Sequence, residues 1–166
     1  MFSDRLRQFR EASNPPTEGD YALAEALLPA GLLALFRSQH PRDIVHGAAT
    51  ARWLMARGEA DPDLLTAALV HDIGKGHQRR RDRVAWVAAE ALGLSRLGGA
   101  EGSRFELRRA LARTAHHSEA GAALLSRAGA SEGVVRLTRL HHCQSRPGPS
   151  GGDPVLALLQ QADAAS

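Results

Sequence analysis

A chain of 166 residues has room for one domain with a sizeable core and not for two. With 43% hydrophobic and 23% charged residues it is neither disordered nor fibrous, and its single cysteine, Cys143, excludes both a disulfide framework and a cysteine-rich zinc site. The net charge of +3 is compatible with an anionic substrate without establishing one.

A reducing cytoplasm is the expected compartment for so little cysteine. The longest apolar run, Ala26 to Phe36, spans 11 residues and contains Pro29 and Gly31, too short to cross a bilayer, and the opening Met-Phe-Ser-Asp-Arg does not read as a signal peptide. Strong helix formers dominate, with 30 Ala and 23 Leu against 7 Val, 2 Ile and 5 Thr, so an all-α fold is expected.

In chain order, residues 1–13 read as a short amphipathic helix closed by Asn14-Pro15-Pro16, and a second helical stretch from Asp20 to about Ser38 is interrupted at Pro29. A helix from Arg42 to Arg57 follows His40-Pro41 and is stopped by Gly58. Asp61-Pro62 opens a segment from Asp63 to Ile73 that ends at Gly74. Residues 75–83 are polar and basic, 84–92 read as helix, and 94–103 with three glycines read as a loop. Three helices follow, Arg104–Ala115, Glu119–Arg127 and Glu132–Cys143, the last capped by Ser131. A loop from Arg146 to Gly152 leads to Asp153-Pro154 and a final helix to about Asp163. Residues 1–38 are expected to form a helical extension packed on or flanking a domain spanning 39–166.

Eight histidines are present, about one residue in twenty, and six of them fall at His46, His71, the pair His116 and His117, and the pair His141 and His142. Three stripes run inward at i, i+3, i+4, i+7 and end on an ionisable group: Leu64-Ala67-Ala68-His71, Val134-Leu137-Thr138-His141 and Leu156-Leu159-Gln160-Asp163. A buried His or Asp without a partner costs a few kcal/mol, so several helices delivering such groups inward point to a bound metal. Consecutive helical residues such as His71 and Asp72 diverge by about 100°, so both reach one ion only where other helices supply the remaining ligands. Imidazole and carboxylate without thiolate suit Fe, Mn, Co, Ni or Zn better than Ca or Mg alone. There is no HExxH, CxxC, phosphate-binding GxxxxGK[ST] or GxSxG sequence, which excludes zincin, zinc-ribbon, P-loop and serine-hydrolase chemistry.

The order His46, then His71-Asp72-Ile73-Gly74-Lys75, then Asp163 in Gln-Ala-Asp-Ala-Ala-Ser resembles the HD-domain metal-dependent phosphohydrolase superfamily over about residues 40–166. The stretch His117-Ser-Glu-Ala-Gly-Ala is similar to the His-Pro-x-x-Gly-Ala helix start of its bimetallic members, with Ser118 where proline is common, and His141-His142 resembles their later doublet. The resemblance implies a helical bundle with its metal site between helices. It implies that His46, His71, Asp72 and Asp163 hold one ion, and that Asp72 bridges to a second held by His117, His141 and His142. Fe or Mn is the expected metal, with Co, Ni, Zn or Mg as other candidates. Lys75 would lie near the substrate phosphate, with Arg79 and Arg83, and beside them Arg80 and Arg81, as further phosphate contacts. His40, His77 and His116 keep the ordinary expectation of surface or supporting residues.

The implied activity is hydrolysis of a phosphoester or phosphoanhydride by a metal-activated hydroxide, with Asp72 and Lys75 as the catalytic residues. A nucleotide or dinucleoside polyphosphate is the expected substrate, a nucleic acid is not, no membrane association is expected, and a homodimer is compatible. The alternatives are a cyclic-dinucleotide or other phosphodiesterase, a di-iron oxygenase of a small molecule, and a non-catalytic regulatory module.

Overall fold

The computed structural model describes residues 15–76, 106–143 and 152–166, with side chains described from His117 onward in the second of these. The helices read over 1–13 and 84–92 and the loop over 94–103 lie outside the described residues.

Helix starts follow side chains that satisfy the first free N–H groups. Thr17 caps α1 (Glu18–Leu27) through a reciprocal box, in which the Asp20 carboxylate accepts from the Thr17 N–H at 2.7 Å and the Thr17 hydroxyl accepts from the Asp20 N–H at 3.3 Å. Pro29 then separates α1 from α2 (Ala30–Arg37). His40 caps α3 (Pro41–Met55), its Nδ1 accepting from the Arg42 N–H at 3.3 Å. Asp61 caps α4 (Pro62–Val70) by accepting from the Leu64 N–H at 2.8 Å. After α4 comes a 3-10 turn, Ile73–Lys75, and further on α5 (Glu106–Arg127). Ser131 caps α6 (Glu132–Leu140) and Asp153 caps α7 (Pro154–Ala165). The described residues contain no strand, so the fold is all-α, as the composition indicates. None of their helices is long and apolar enough to cross a membrane.

The arrangement centres on α4. Every residue from Leu64 to Val70 is buried, and a helix apolar on all sides must be enclosed. Helices α1, α3, α6 and α7 pack around it, while α5 packs on α6 and on the 3-10 turn. Phe36, Ile44, Leu54, Leu69, Leu125, Leu137 and Leu159 are fully buried in one cluster, which Ala24 of α1, Leu28 just after it and Leu32 of α2 join. Truncating such a side chain to alanine costs about 2–5 kcal/mol.

Besides shifts of one or two residues, as at α3, which ends at Met55 rather than Arg57, three expected boundaries differ from the structure around the histidines. Helix α4 stops at Val70, three residues short of the expected Ile73, because His71 and Asp72 form a turn and the chain tightens to 3-10 geometry. Gly76 closes that turn at φ +59° and ψ −163°, a conformation essentially confined to glycine. Helix α6 likewise ends at Leu140 rather than Cys143. The two helices expected over 104–115 and 119–127 are the single helix α5. Ser118 retains the backbone N–H and lacks the ring that a proline at this position would use to break the helix.

Backbones meet directly at Gly74. A Cβ there would lie 1.9 Å from the His117 carbonyl oxygen and 2.6 Å from the Gly121 nitrogen, so the 3-10 turn sits flush on α5. Gly47 plays the same part between α3 and α4, where a Cβ would lie 2.6 Å from the Leu69 carbonyl oxygen. At the other end of the bundle the Arg52 guanidinium donates to Asp20 at 2.6 Å and ties α3 to α1.

Asp20 is buried. Burial opposes its ionisation, but the Thr17 N–H, Arg52 and the Thr17 hydroxyl outweigh that and hold its pKa below the usual carboxylate value. A depressed folded-state pKa adds stability that is present above the unfolded value near 4 and is lost as pH falls through the folded value. Asp20→Ala is therefore expected to lower unfolding free energy by about 2 kcal/mol at neutral pH. Urea titrations should show the gap from wild type narrowing as pH falls below about 4. Gly74→Ala is expected to cost about 3 kcal/mol, since backbone rather than a flexible side chain must give way; an unchanged urea midpoint would contradict the close packing.

Candidate metal centre

Helices α4 and α6 end in the same way. His71 and His141 each occupy the residue after the last helical turn, in right-handed helical conformation, and each folds its ring back onto that turn. The Nδ1 of His71 lies 3.0 Å from the Ala68 carbonyl oxygen, and that of His141 lies 2.6 Å from the Thr138 carbonyl oxygen. A ring nitrogen facing a carbonyl must donate, so Nδ1 carries the hydrogen and satisfies a helix-end carbonyl. The Nε2 lone pair is left pointing inward. The terminal carbonyls of the two helices thus orient both imidazoles, as supporting groups do for metal-bound histidine.

Between them stands Asp72. Its Oδ1 faces His117 Nε2 at 3.5 Å and His141 Nε2 at 3.8 Å, and its Oδ2 faces His71 Nε2 at 3.8 Å and the Lys75 ammonium. On the His71 side, Asp163 Oδ1 lies 2.8 Å from His46 Nε2 and 3.4 Å from His71 Nε2, bringing α7 and α3 to the end of α4. On the His117 side, His142 Nε2 lies 3.1 Å from His117 Nε2. Two groups have ligand atoms mutually within 4.8 Å: His46, His71 and Asp72, and Asp72, His117, His141 and His142. Asp72 belongs to both.

The five imidazoles form an unbroken row, with ring centroids 5.3 Å apart for His46–His71, 5.0 Å for His71–His141, 5.3 Å for His141–His117 and 4.8 Å for His117–His142. Burial disfavours charge on His71, yet Asp72 and Asp163 outweigh it and raise its pKa. Burial lowers that of His141, and the sheltered part of the His142 ring together with its imidazole neighbours pushes His142 down to about 4. Burial likewise opposes ionisation of both aspartates. Even so, His71 and Lys75 hold Asp72 well below the carboxylate range, and His46 and His71 do the same for Asp163. The cluster therefore pairs two carboxylates with imidazoles of which His141 and His142 are shifted toward the neutral, lone-pair form.

This donor set fits a divalent metal ion. His71 Nε2, His141 Nε2 and Asp72 Oδ1 are buried and make no hydrogen bond, a cost that coordination removes. Imidazole nitrogen with carboxylate oxygen and no sulfur is the chemistry of first-row transition ions.

The remaining expectations divide. Lys75 sits at the cluster, paired with Asp72. His40 caps α3 and lines a cavity that also reaches Asp72. Arg79, Arg83, Arg80, Arg81 and His77 lie outside the described residues, as does the side chain of His116. A cavity of about 280 Å³ borders Asp72, its lining including Gln39, His40 and Asp43 as well as Leu35, Ile73 and Leu124. Sequence reasoning passed over Gln39, which is buried, donates weakly to the Phe36 and Leu69 carbonyls at 3.4 Å each, and leaves its Oε1 without a hydrogen bond. Its only signal was a polar side chain beside the proline-led start of α3.

Neither the curated proteins nor the solved structures contain a match to this chain. Residues 37–166 match the HD domain, which begins at the end of α2 and takes in every residue of the cluster. The chain belongs to the HD domain family, the superfamily of metal-dependent phosphohydrolases.

Proposed function

We propose that this protein is a metal-dependent phosphohydrolase that cleaves a phosphoester or phosphoanhydride bond of a nucleotide or dinucleoside polyphosphate. The observation that carries the reading is Asp72, whose two carboxylate oxygens face opposite ways, each toward its own set of donors. In this reading His46, His71, Asp72 and Asp163 hold one divalent ion and Asp72, His117, His141 and His142 hold another, with iron or manganese as the metals of choice. Such ions supply charge neutralisation for a phosphoryl group and acidify water toward neutral pKa.

The chain's own residues do the rest. The Ala68 and Thr138 carbonyls keep His71 and His141 in the donor tautomer. Lys75 balances the Asp72 carboxylate and, once cations take over that task, offers its ammonium to a phosphoryl oxygen. Arg79 and Arg83 follow in the chain as further phosphate contacts. The cavity beside Asp72 receives the organic part of the substrate. Leu35, Ile73 and Leu124 in its lining suit an apolar ring face.

The test is elemental analysis of the purified protein, then phosphate release with Mn or Fe from mononucleotides, diadenosine tetraphosphate, cyclic dinucleotides and a chromogenic phosphoester. Asp72→Ala is expected to cut hydrolysis by at least about 100-fold and to lower bound metal; unchanged turnover sinks the assignment. Replacing His141 and His142 together should halve the metal content, whereas a variant that keeps the wild-type stoichiometry removes them from the site. Lys75→Ala is expected to lower turnover by about 10–100-fold with metal content intact. Oxygen-dependent consumption of a small molecule by the iron-loaded protein, without phosphate release, would overturn the hydrolytic reading.

A further inference from the structure

Gln160 stands on α7 one turn before Asp163. Its side-chain amide donates to two backbone carbonyls at the end of α6, that of His141 at 3.1 Å and that of Cys143 at 2.7 Å. These carbonyls belong to the peptide groups on either side of the His142–Cys143 dipeptide. Holding both from one nitrogen fixes the backbone that carries the second histidine of the doublet. The chain turns there by a Cys143 N–H to Leu140 carbonyl bond of 2.7 Å, which leaves the His141 and Cys143 carbonyls beyond the helix's own hydrogen bonding.

We propose that Gln160 is a positioning residue that sets the His141–His142 end of α6 against the rest of the centre. The proposal rests on the metal-dependent reading above and deepens it. Helix α7 then serves both halves of the cluster: Asp163 reaches His46 and His71 directly, and Gln160 holds the turn that carries His142 against His117. A second tie runs from Arg136, midway along α6, to Asp153, the cap of α7. The Arg136 tie is exposed and contributes little, whereas the amide holds the turn that carries the doublet directly.

Gln160→Met keeps the length and much of the shape of the side chain but removes the donor. Zn2+ titration by calorimetry, with 15N resonances of the imidazoles recorded in the metal-free and Zn-loaded protein, reads the two halves separately. The expected result is movement of the His141 and His142 ring signals in both states, with His46 and His71 unmoved. Zn2+ affinity of the His117, His141 and His142 half should weaken by about 10-fold or more, as when a group supporting a metal ligand is lost. Gln160→Lys, which restores a donor, should return the ring signals toward wild type.

Equal weakening of both halves, or ring signals that do not move, overturns the proposal and assigns Gln160 a general packing role. A wild-type protein that takes up no Zn2+ while its His141 and His142 signals still respond to Gln160→Met supports the strap and overturns the metal reading instead.

Discussion

The constraint on which the site depends is the burial of the Asp72 carboxylate. An ionised carboxylate inside a protein carries a penalty of several kcal/mol unless donors or cations surround it. Asp72 is buried, with two imidazoles before one oxygen and an imidazole and an ammonium before the other. Three separate segments must meet at one point to supply them, and the close packing of this part of the bundle follows. The 3-10 turn lies backbone to backbone on α5 at Gly74 and Gly121, bringing His117 down to Asp72, while α6 packs along α4 so that their ends coincide. A side chain at Gly74 would separate the two elements whose spacing the carboxylate requires.

Helix ends do the chemical work of orientation. A helix terminates with free carbonyls, and a histidine placed just after the last turn can answer one of them with Nδ1 while presenting Nε2 forward. His71 and His141 do this on two helices that are neighbours, and the amide of Gln160 serves two carbonyls beyond α6. The groups a helix end needs for its own stability are thereby the groups that aim the cluster. Stability and site geometry are coupled through the same hydrogen bonds.

What the sequence disclosed, and what it withheld, follows from the range of the forces involved. The inward stripes ending at His71, His141 and Asp163 were legible because helical periodicity is local, and Asp-Pro starts marked α4 and α7 for the same reason. The shortened ends of α4 and α6 were not, since the histidines themselves unwind those turns by answering carbonyls. The continuity of α5 through His117 was missed, although Ser118, unlike a proline, keeps the backbone N–H and lacks the ring that would break a helix. Gln160 appeared only as a polar position in the α7 stripe, and the need for glycine at position 74 arises from the backbone of a segment more than 40 residues away.

The electrostatics of the row explain why a cation and not further protonation suits this cluster. His71 has a raised pKa because two carboxylates pull on it, so the cluster attracts positive charge. Its rings stand about 5 Å apart or closer, however, and a proton on one raises the cost of a proton on the next. The lowered values of His141 and His142 reflect burial and that mutual repulsion. Protonation can therefore neutralise the carboxylates only in part, and each added proton removes a lone pair from the interior. A divalent cation brings two charges to a single point between the rings and uses the lone pairs instead of consuming them. Competition between the two makes cation binding weaken as pH falls, because every imidazole that accepts a proton withdraws a donor.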